Sequence, residues 1–561
     1  MGRLKTIFGV LGVALFALGL ALTILGAPAV YAQNEEPSPV PEDQAAATEE
    51  QQAAPAQEEQ PAPLKYEGVR ECQSCHRDMV RNHQDTAHAQ ALLDTDDDKN
   101  LILGDFSLGD DVRSVTLPGE DSSRPFTADD IVFAIGSGVN AQAYVTKVDD
   151  TLRVLPAQWN VTEGQWQALS LADSWDNSAY DFVTSCAGCH TTGLNVEDGK
   201  WEDDGVMCEA CHGPAEQHVE LAEDAGRRAS DEEIAALRAA INPGIDPQVC
   251  GSCHSRGEVP AGAPAFSTTY RPGGTLTVEG EYVPFGPDDP VHFYLTGQAS
   301  QPNMQFNEWL ASAHSTSLEV LPDDATDECL TCHAGEYAYN LRIIAEHESG
   351  DRAGLAPELL TVATAQFGVG CINCHDPHSQ GELPTALLDE PYALCTSCHT
   401  NRNSIVEGVH HPVKEMYEGA PLVEGVPSMP SAHFTAEDGP DCLTCHMPQM
   451  PFDGFVRDSH SMRPVLPGEA AASVEGLVDT CSRCHSDIAS PEALQAFIEN
   501  TQNGVKARID AIRAAMPPNP PDWAVIAIDF VEGDGSYGVH NYVYADEILD
   551  LLEENLGLSG R

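Results

Sequence analysis

Eighteen cysteines punctuate the 561-residue chain, and every one of them falls in a Cys-x-x-Cys-His pentapeptide. The nine motifs, numbered 1 to 9 in chain order, open at Cys72, Cys186, Cys208, Cys250, Cys329, Cys371, Cys395, Cys442 and Cys481. Their second cysteines are Cys75, Cys189, Cys211, Cys253, Cys332, Cys374, Cys398, Cys445 and Cys484. One Cys-x-x-Cys alone is ambiguous, because disulfides, zinc knuckles and thioredoxin-like pairs all use it. None of those uses demands a histidine after each second cysteine. Haem c attachment does: the two thiols add across the porphyrin vinyl groups and the adjacent imidazole reaches the iron as proximal ligand. The spacing therefore predicts nine haem c groups, with His76, His190, His212, His254, His333, His375, His399, His446 and His485 as proximal ligands and no cysteine left for a disulfide.

Function then turns on the sixth coordination position, since a filled one favours electron transfer and an open one admits a substrate. Twelve histidines lie outside the motifs. His88, His218, His314, His378, His433, His460 and His540 are the expected distal ligands, with His292 and His347 completing the set and His83, His410 and His411 as spares. Methionine is the alternative ligand, available at Met416 or Met447, but the surplus of imidazole favours bis-histidine ligation and low potentials.

The elements that must position these groups are mostly short. An Asp149-Asp150 turn between the β-branched runs 131–135, 143–148 and 152–155 marks a small β insertion near 110–160. Ser230 with Glu233 is a capping box for a helix to Ala240. Ser490 and Pro491 open a longer helix with Leu494, Ile498, Val505, Ile509 and Ile512 on one face, ending before Pro517, and a last helix covers about 545–556. The motif intervals are uneven, which excludes a fixed-period solenoid. The expected fold is mainly α with much irregular structure and a small β insertion: a multihaem array in which porphyrins supply the apolar volume that an aromatic content of 6% does not.

Composition bounds the partners. With 28 Lys+Arg against 88 Asp+Glu, the net charge of −60 excludes nucleic acids and anionic membrane surfaces as partners and favours cationic or redox partners. Residues 1–32 read as a secretory signal, cleavable after Ala32 or retained as an N-terminal membrane anchor, and 33–64 as an acidic Pro/Ala/Glu/Gln tether. Residues 65–300 form an expected tetrahaem domain, 301–490 a pentahaem domain and 491–561 the C-terminal helices. Asp94, Asp96, Asp97 and Asp98 could bind Ca²⁺ or form a solvated loop. No phosphate loop, nucleophile elbow or nicotinamide fingerprint occurs.

Two stretches resemble known families. The run Cys186-Ala-Gly-Cys-His through Cys208-Glu-Ala-Cys-His to His218, preceded by Val154-Leu-Pro-Ala-Gln-Trp159, resembles the tetrahaem cytochromes that accept electrons in hydroxylamine oxidation, over about 65–260. Over about 305–560 the chain is similar to the pentahaem ammonia-forming nitrite reductases and their octahaem relatives. His411-Pro412 with Tyr417, Cys442 to Pro448, Asp458-Ser-His460, Cys481 to His485 and Gly538-Val-His-Asn541 carry that likeness. It implies distal roles for His460 and His540. The pattern departs where those reductases keep a lysine-ligated catalytic haem, since His333 stands there, and where they place a tyrosine after the third motif, since Thr400-Asn401-Arg402-Asn403 follows His399. The leading expectation is an exported electron-transfer cytochrome of the periplasm or cell surface, serving a redox partner protein or an extracellular acceptor. The alternative is a reductase or oxidase of small nitrogen or sulfur compounds at the motif 5 haem, with His411, Arg402 and Tyr417 about an open iron. A homo-oligomer or conducting filament is compatible with either.

Overall fold

Each motif begins as a single helical turn. The backbone N–H of His76, His254, His375, His399 and His485 donates to the carbonyl of its motif's first cysteine, at 2.8–3.0 Å. This i→i−4 closure places both cysteines and the histidine on one side of the turn, toward one porphyrin. The structure, a computed structural model, describes residues 65–561 except 351, 353, 380, 382–383, 403–407, 422, 424, 438, 453–454, 489 and 559–561. The expected signal and tether lie outside the described residues.

The apolar side chains gather at two ends of the sequence and leave the motif-bearing middle with only small clusters. Toward the N-terminus an antiparallel sheet comprises β1 (Leu92–Asp94), β2 (Phe133–Ile135), β3 (Ala141–Val148), β4 (Thr151–Val154), β5 (Ala157–Asn160) and β6 (Gln165–Ala168). Its order is β1-β2-β3-β5-β6, with β4 also paired to β3 across the expected turn, where Asp149 takes φ 52°. The β insertion therefore runs from 92 to 168, wider than the sequence indicated, because β1 joins from the far side of a long loop. Tyr144, Trp159, Trp166 and Phe126 bury one face. Arg113 is buried among them, its guanidinium 5.1 Å from the Phe106 ring centre and 5.3 Å from that of Trp166, and it donates to the carbonyls of Phe106, Leu108 and Phe126. A buried cation is tolerable there because aromatic faces, hydrogen bonds and the Asp110 carboxylate at 2.7 Å replace its water.

At the other end, α1 (Pro491–Ala515), α2 (Asp522–Gly533) and α3 (Tyr542–Asn555) pack through Val505, Ile509, Ile512, Ile528, Phe530, Tyr544, Ile548 and Leu552. The Ser490 hydroxyl accepts the Ala493 N–H, as the cap reading expects. α3 starts earlier than expected, because the Asn541 side chain caps it by accepting the Tyr544 N–H. Arg508 ties α1 to α3 through Asp546, Asp550 and Glu553 at 2.5–2.7 Å. The capping box of Ser230 and Glu233 opens a helix over Asp231–Ala239. The chain is mostly helix and irregular loop with small sheets, as expected.

Candidate haem array

An iron held between two imidazoles by bonds of about 2 Å sets the two ring centres roughly 6.3 Å apart. Eight motif histidines face a second imidazole at this spacing. His76 meets His218 at 6.3 Å, His212 meets His378 at 6.1 Å, and His254 meets His88 at 6.1 Å. In the C-terminal half His375 meets His460 at 6.3 Å, while His399–His314, His446–His540 and His485–His433 are each separated by 6.1 Å. The eighth, His333, has two partners, His410 and His411, both at 6.2 Å and 4.2 Å from each other. His411 also lies 6.1 Å from His399 and sits at φ 50°, in the left-handed region. His333, His410 and His411 are the one His/Cys/Asp/Glu group with metal-ligand proximity among the described residues.

The seven distal candidates drawn first from the sequence are thus all brought to motif histidines. His292 and His347 are not: His292 stacks on Phe285 at 3.7 Å, and His347 lies at the end of the helix Tyr337–Ser349, beside Arg238 at 3.3 Å. His410 and His411, both expected as spares, instead face His333, and His83 is held between the carbonyls of Val206 and Pro377. Proximity in sequence to a motif did not reveal these outcomes. The dipeptide His410-His411, with Pro412 fixing its exit, was the available signal. In the Asp94–Asp98 loop, Asp94 accepts from the Asp96 N–H, Asp98 accepts from the Asn100 N–H, and Asp96 lies 3.8 Å from the Lys99 ammonium.

The residues fit haem in further respects. The Nδ1 atoms of His190, His212, His333 and His375 lie 2.7–2.9 Å from the carbonyls of Ala91, Asn242, Ser317 and Thr385. Donation there fixes the tautomer that leaves Nε2 free for iron. Burial pulls His88, His399 and His460 down to about 4, with neighbouring imidazoles adding to the effect, so their nitrogens are unprotonated at neutral pH. His540 is the exception. Burial opposes its charge, yet Asp534 at 2.7 Å outweighs burial and raises it. Two buried polar atoms beside motif cysteines, Tyr270 Oη and Arg402 Nε, have no protein partner, as groups that meet a porphyrin propionate would. Arg402 lies by Cys332 and Cys398, whereas Tyr417 packs beside His540 and donates to the Pro440 carbonyl. Of the three candidate catalytic side chains, only His411 and Arg402 are near motif 5.

Motif cysteines from different parts of the chain meet. The thiols pair as Cys72–Cys208, Cys189–Cys253, Cys250–Cys371, Cys332–Cys398 and Cys395–Cys442. Cys211 lies within electrostatic reach of Cys253, Cys374 of Cys398, and Cys445 of Cys484. Backbone packing agrees for three of these contacts: Val69–Cys75 lies on Cys208–His212, Pro247–Gly251 on Cys371–Asn373, and Pro391–Thr396 on Cys442–His446. Joined in sequence, the contacts run 1–3–4–6–7–8–9, with motif 2 attached to 4 and motif 5 attached to 7.

Comparison with known proteins points to the same class of protein. The family model for cytochrome c554 and c-prime matches residues 160–213, and the doubled CXXCH motif model matches 365–404. No curated protein matches the chain. Among solved structures, the outer cell wall cytochrome OcwA is 28% identical, with a TM-score of 0.69 over 88% of this chain and 99% of that one. The undecahaem cytochrome from the S-layer of Carboxydothermus ferrireducens is 22% identical, with a TM-score of 0.52 over 89% of this chain and 70% of that one, a likeness of fold. In its attachment motifs and in its fold, the chain is a multihaem cytochrome of the c type.

Proposed function

We propose that the protein is an exported nonahaem cytochrome that relays single electrons between a membrane or periplasmic donor and an extracytoplasmic acceptor. The observation that carries the reading is the continuity of the motif contacts: seven motifs form one line, and each of the seven histidines along it faces a second imidazole at iron-bridging distance. Haem supplies the one-electron chemistry when bound. The chain's own residues do the rest. The thiols would hold each macrocycle, the motif histidines would supply one iron ligand, and His218, His378, His88, His460, His314, His540 and His433 would supply the second. Six fixed ligands minimise rearrangement between the ferric and ferrous states, which suits transfer rather than substrate binding. Export agrees with the basic-then-apolar start of the sequence and with the cell-wall and S-layer settings that the titles of the two similar cytochromes state.

Two measurements test the relay. Intact-mass analysis should give nine haem adducts. After full reduction, mixing with a soluble ferric chelate should reoxidise all haems in one connected process. Fewer than nine adducts, or a subset of haems that stays reduced while the others are oxidised, would overturn the proposal.

A further inference from the structure

Of the paired thiols, only Cys250–Cys371 joins the first four motifs to the last five, so the step from motif 4 to motif 6 is the crossing between the halves. The short helix Gln305–Leu310 touches both sides of it. Toward motif 4, the Phe306 N–H donates to the His254 carbonyl at 2.9 Å, and the Asn307 amide accepts from the Arg256 N–H and donates to its carbonyl. Toward motif 6, the Trp309 indole N–H donates to the Val369 carbonyl at 2.8 Å, shortly before Cys371.

Glu308, in the middle of this helix, is fully buried. Its Oε1 accepts the Ala299 N–H and the Ser459 hydroxyl, each at 2.9 Å. Its Oε2 accepts the His460 N–H at 2.7 Å and a guanidinium N–H of Arg457 at 3.3 Å, and Arg457 is itself only 9% exposed. A carboxylate is costly to bury, and apolar packing would hold two segments together at less expense, so a buried ion pair at this place asks for a reason. The residues it pins are those around the imidazole that faces His375 at 6.3 Å. His460 Nδ1 lies 3.2 Å from the Asp458 carbonyl, so the ring turns with the loop that Glu308 holds. We infer that Glu308 is the positioning residue of the motif 6 haem: it fixes the distal imidazole, balances the Arg457 guanidinium beside it, and thereby sets the potential at the crossing. This deepens the relay reading and rests on its ligation of motif 6, not on the number of haems.

Equilibrium redox titration of the holoprotein, followed by electron paramagnetic resonance of the low-spin haems, tests the assignment. Glu308→Gln leaves the guanidinium unbalanced and should bias one haem toward ferrous iron by roughly tenfold. Arg457→Gln leaves the carboxylate unbalanced and should bias the same haem the other way. The double variant Glu308→Gln/Arg457→Gln should return it toward the wild-type potential. Loss of a purely structural contact would lower the thermal midpoint in all three without a reversal of sign. In a Cys371→Ala/Cys374→Ala background, checked by mass to carry one haem fewer, the displaced signal should vanish. Shifts of one sign in both single variants, no shift, or a shift that persists without the motif 6 haem would each overturn the assignment. Hydrogen–deuterium exchange of the wild type should find the His460 amide protected, and rapid exchange there would overturn the positioning role even if no variant matures. Potentials are equilibrium quantities, so these results stand apart from the reoxidation experiment that decides the relay.

Discussion

Asp534 illustrates how far one carboxylate can reach. Its Oδ1 lies 2.7 Å from His540 Nδ1, while Oδ2 is held by the Ser536 hydroxyl, and the side chain is buried. A carboxylate behind a ligating imidazole makes it a stronger donor and favours the ferric state. Asp534→Asn should raise the potential of the motif 8 haem by roughly 60 mV, a tenfold bias toward ferrous iron. A spectroelectrochemical titration of variant against wild type would show one haem displaced and the rest unmoved. At this scale the chemistry was largely legible, because the thiols and proximal histidines are fixed by covalent spacing. Distal ligands are not. His378 follows its own motif 6 by three residues yet faces His212 of motif 3, since a ligand is chosen by tertiary packing and sequence distance carries no information about it.

Elements place these groups, and their caps carry measurable energy. Asn541 caps α3 and donates through its side-chain amide to the carbonyls of Met416 and Met429, directly beside His540. Asn541→Ala should cost about 2 kcal/mol, from a lost cap and the lost amide hydrogen bonds to the Met416 and Met429 carbonyls, and should free His540 first. The check is a lowered thermal midpoint accompanied by a high-spin fraction that grows before global unfolding. In the β insertion, hydrogen bonds from Arg124, aided by those of Thr127 and opposed by burial, hold Asp130 down to about 2. Its folded pKa lies below the ordinary 3.8, so the stabilisation is complete above that value and drains away as pH falls toward about 2. Asp130→Asn should therefore cost about 1–2 kcal/mol at pH 7, with chemical denaturation curves of variant and wild type converging near pH 2. Helices with caps at both sequence and structure level, such as Asp231–Ala239 and α1, were legible. α2 was not, because Pro521 precedes it and the run Trp523–Phe530 is apolar on nearly every face, without an amphipathic period to read.

The whole molecule is strongly anionic. A charge of −60 steers cations toward it and repels anions, and both effects fade with salt. Second-order oxidation by a cationic acceptor such as hexaammineruthenium(III) should slow as ionic strength rises, and oxidation by ferric citrate should quicken, in stopped-flow series at fixed pH. Equal salt slopes would refute steering. The fold class followed from the Cys-x-x-Cys-His motifs, because a chain that wraps macrocycles needs mostly short helices and irregular loops. Their order in space did not, because contacts such as Cys250–Cys371 and Cys332–Cys398 join motifs that are far apart in the chain.

The His212–His378 pair has a temporal consequence. Motif 3 belongs to the first half of the chain, but the imidazole that faces its histidine arrives only after motif 6. A chain threaded out of the cell from its N-terminus would have motif 3 ready for haem well before His378 emerges. Until then that iron would be as exposed to stray peroxide or oxygen as any five-coordinate haem. Completing the second half would thus be what shields the motif 3 iron, and interrupted synthesis would leave it reactive.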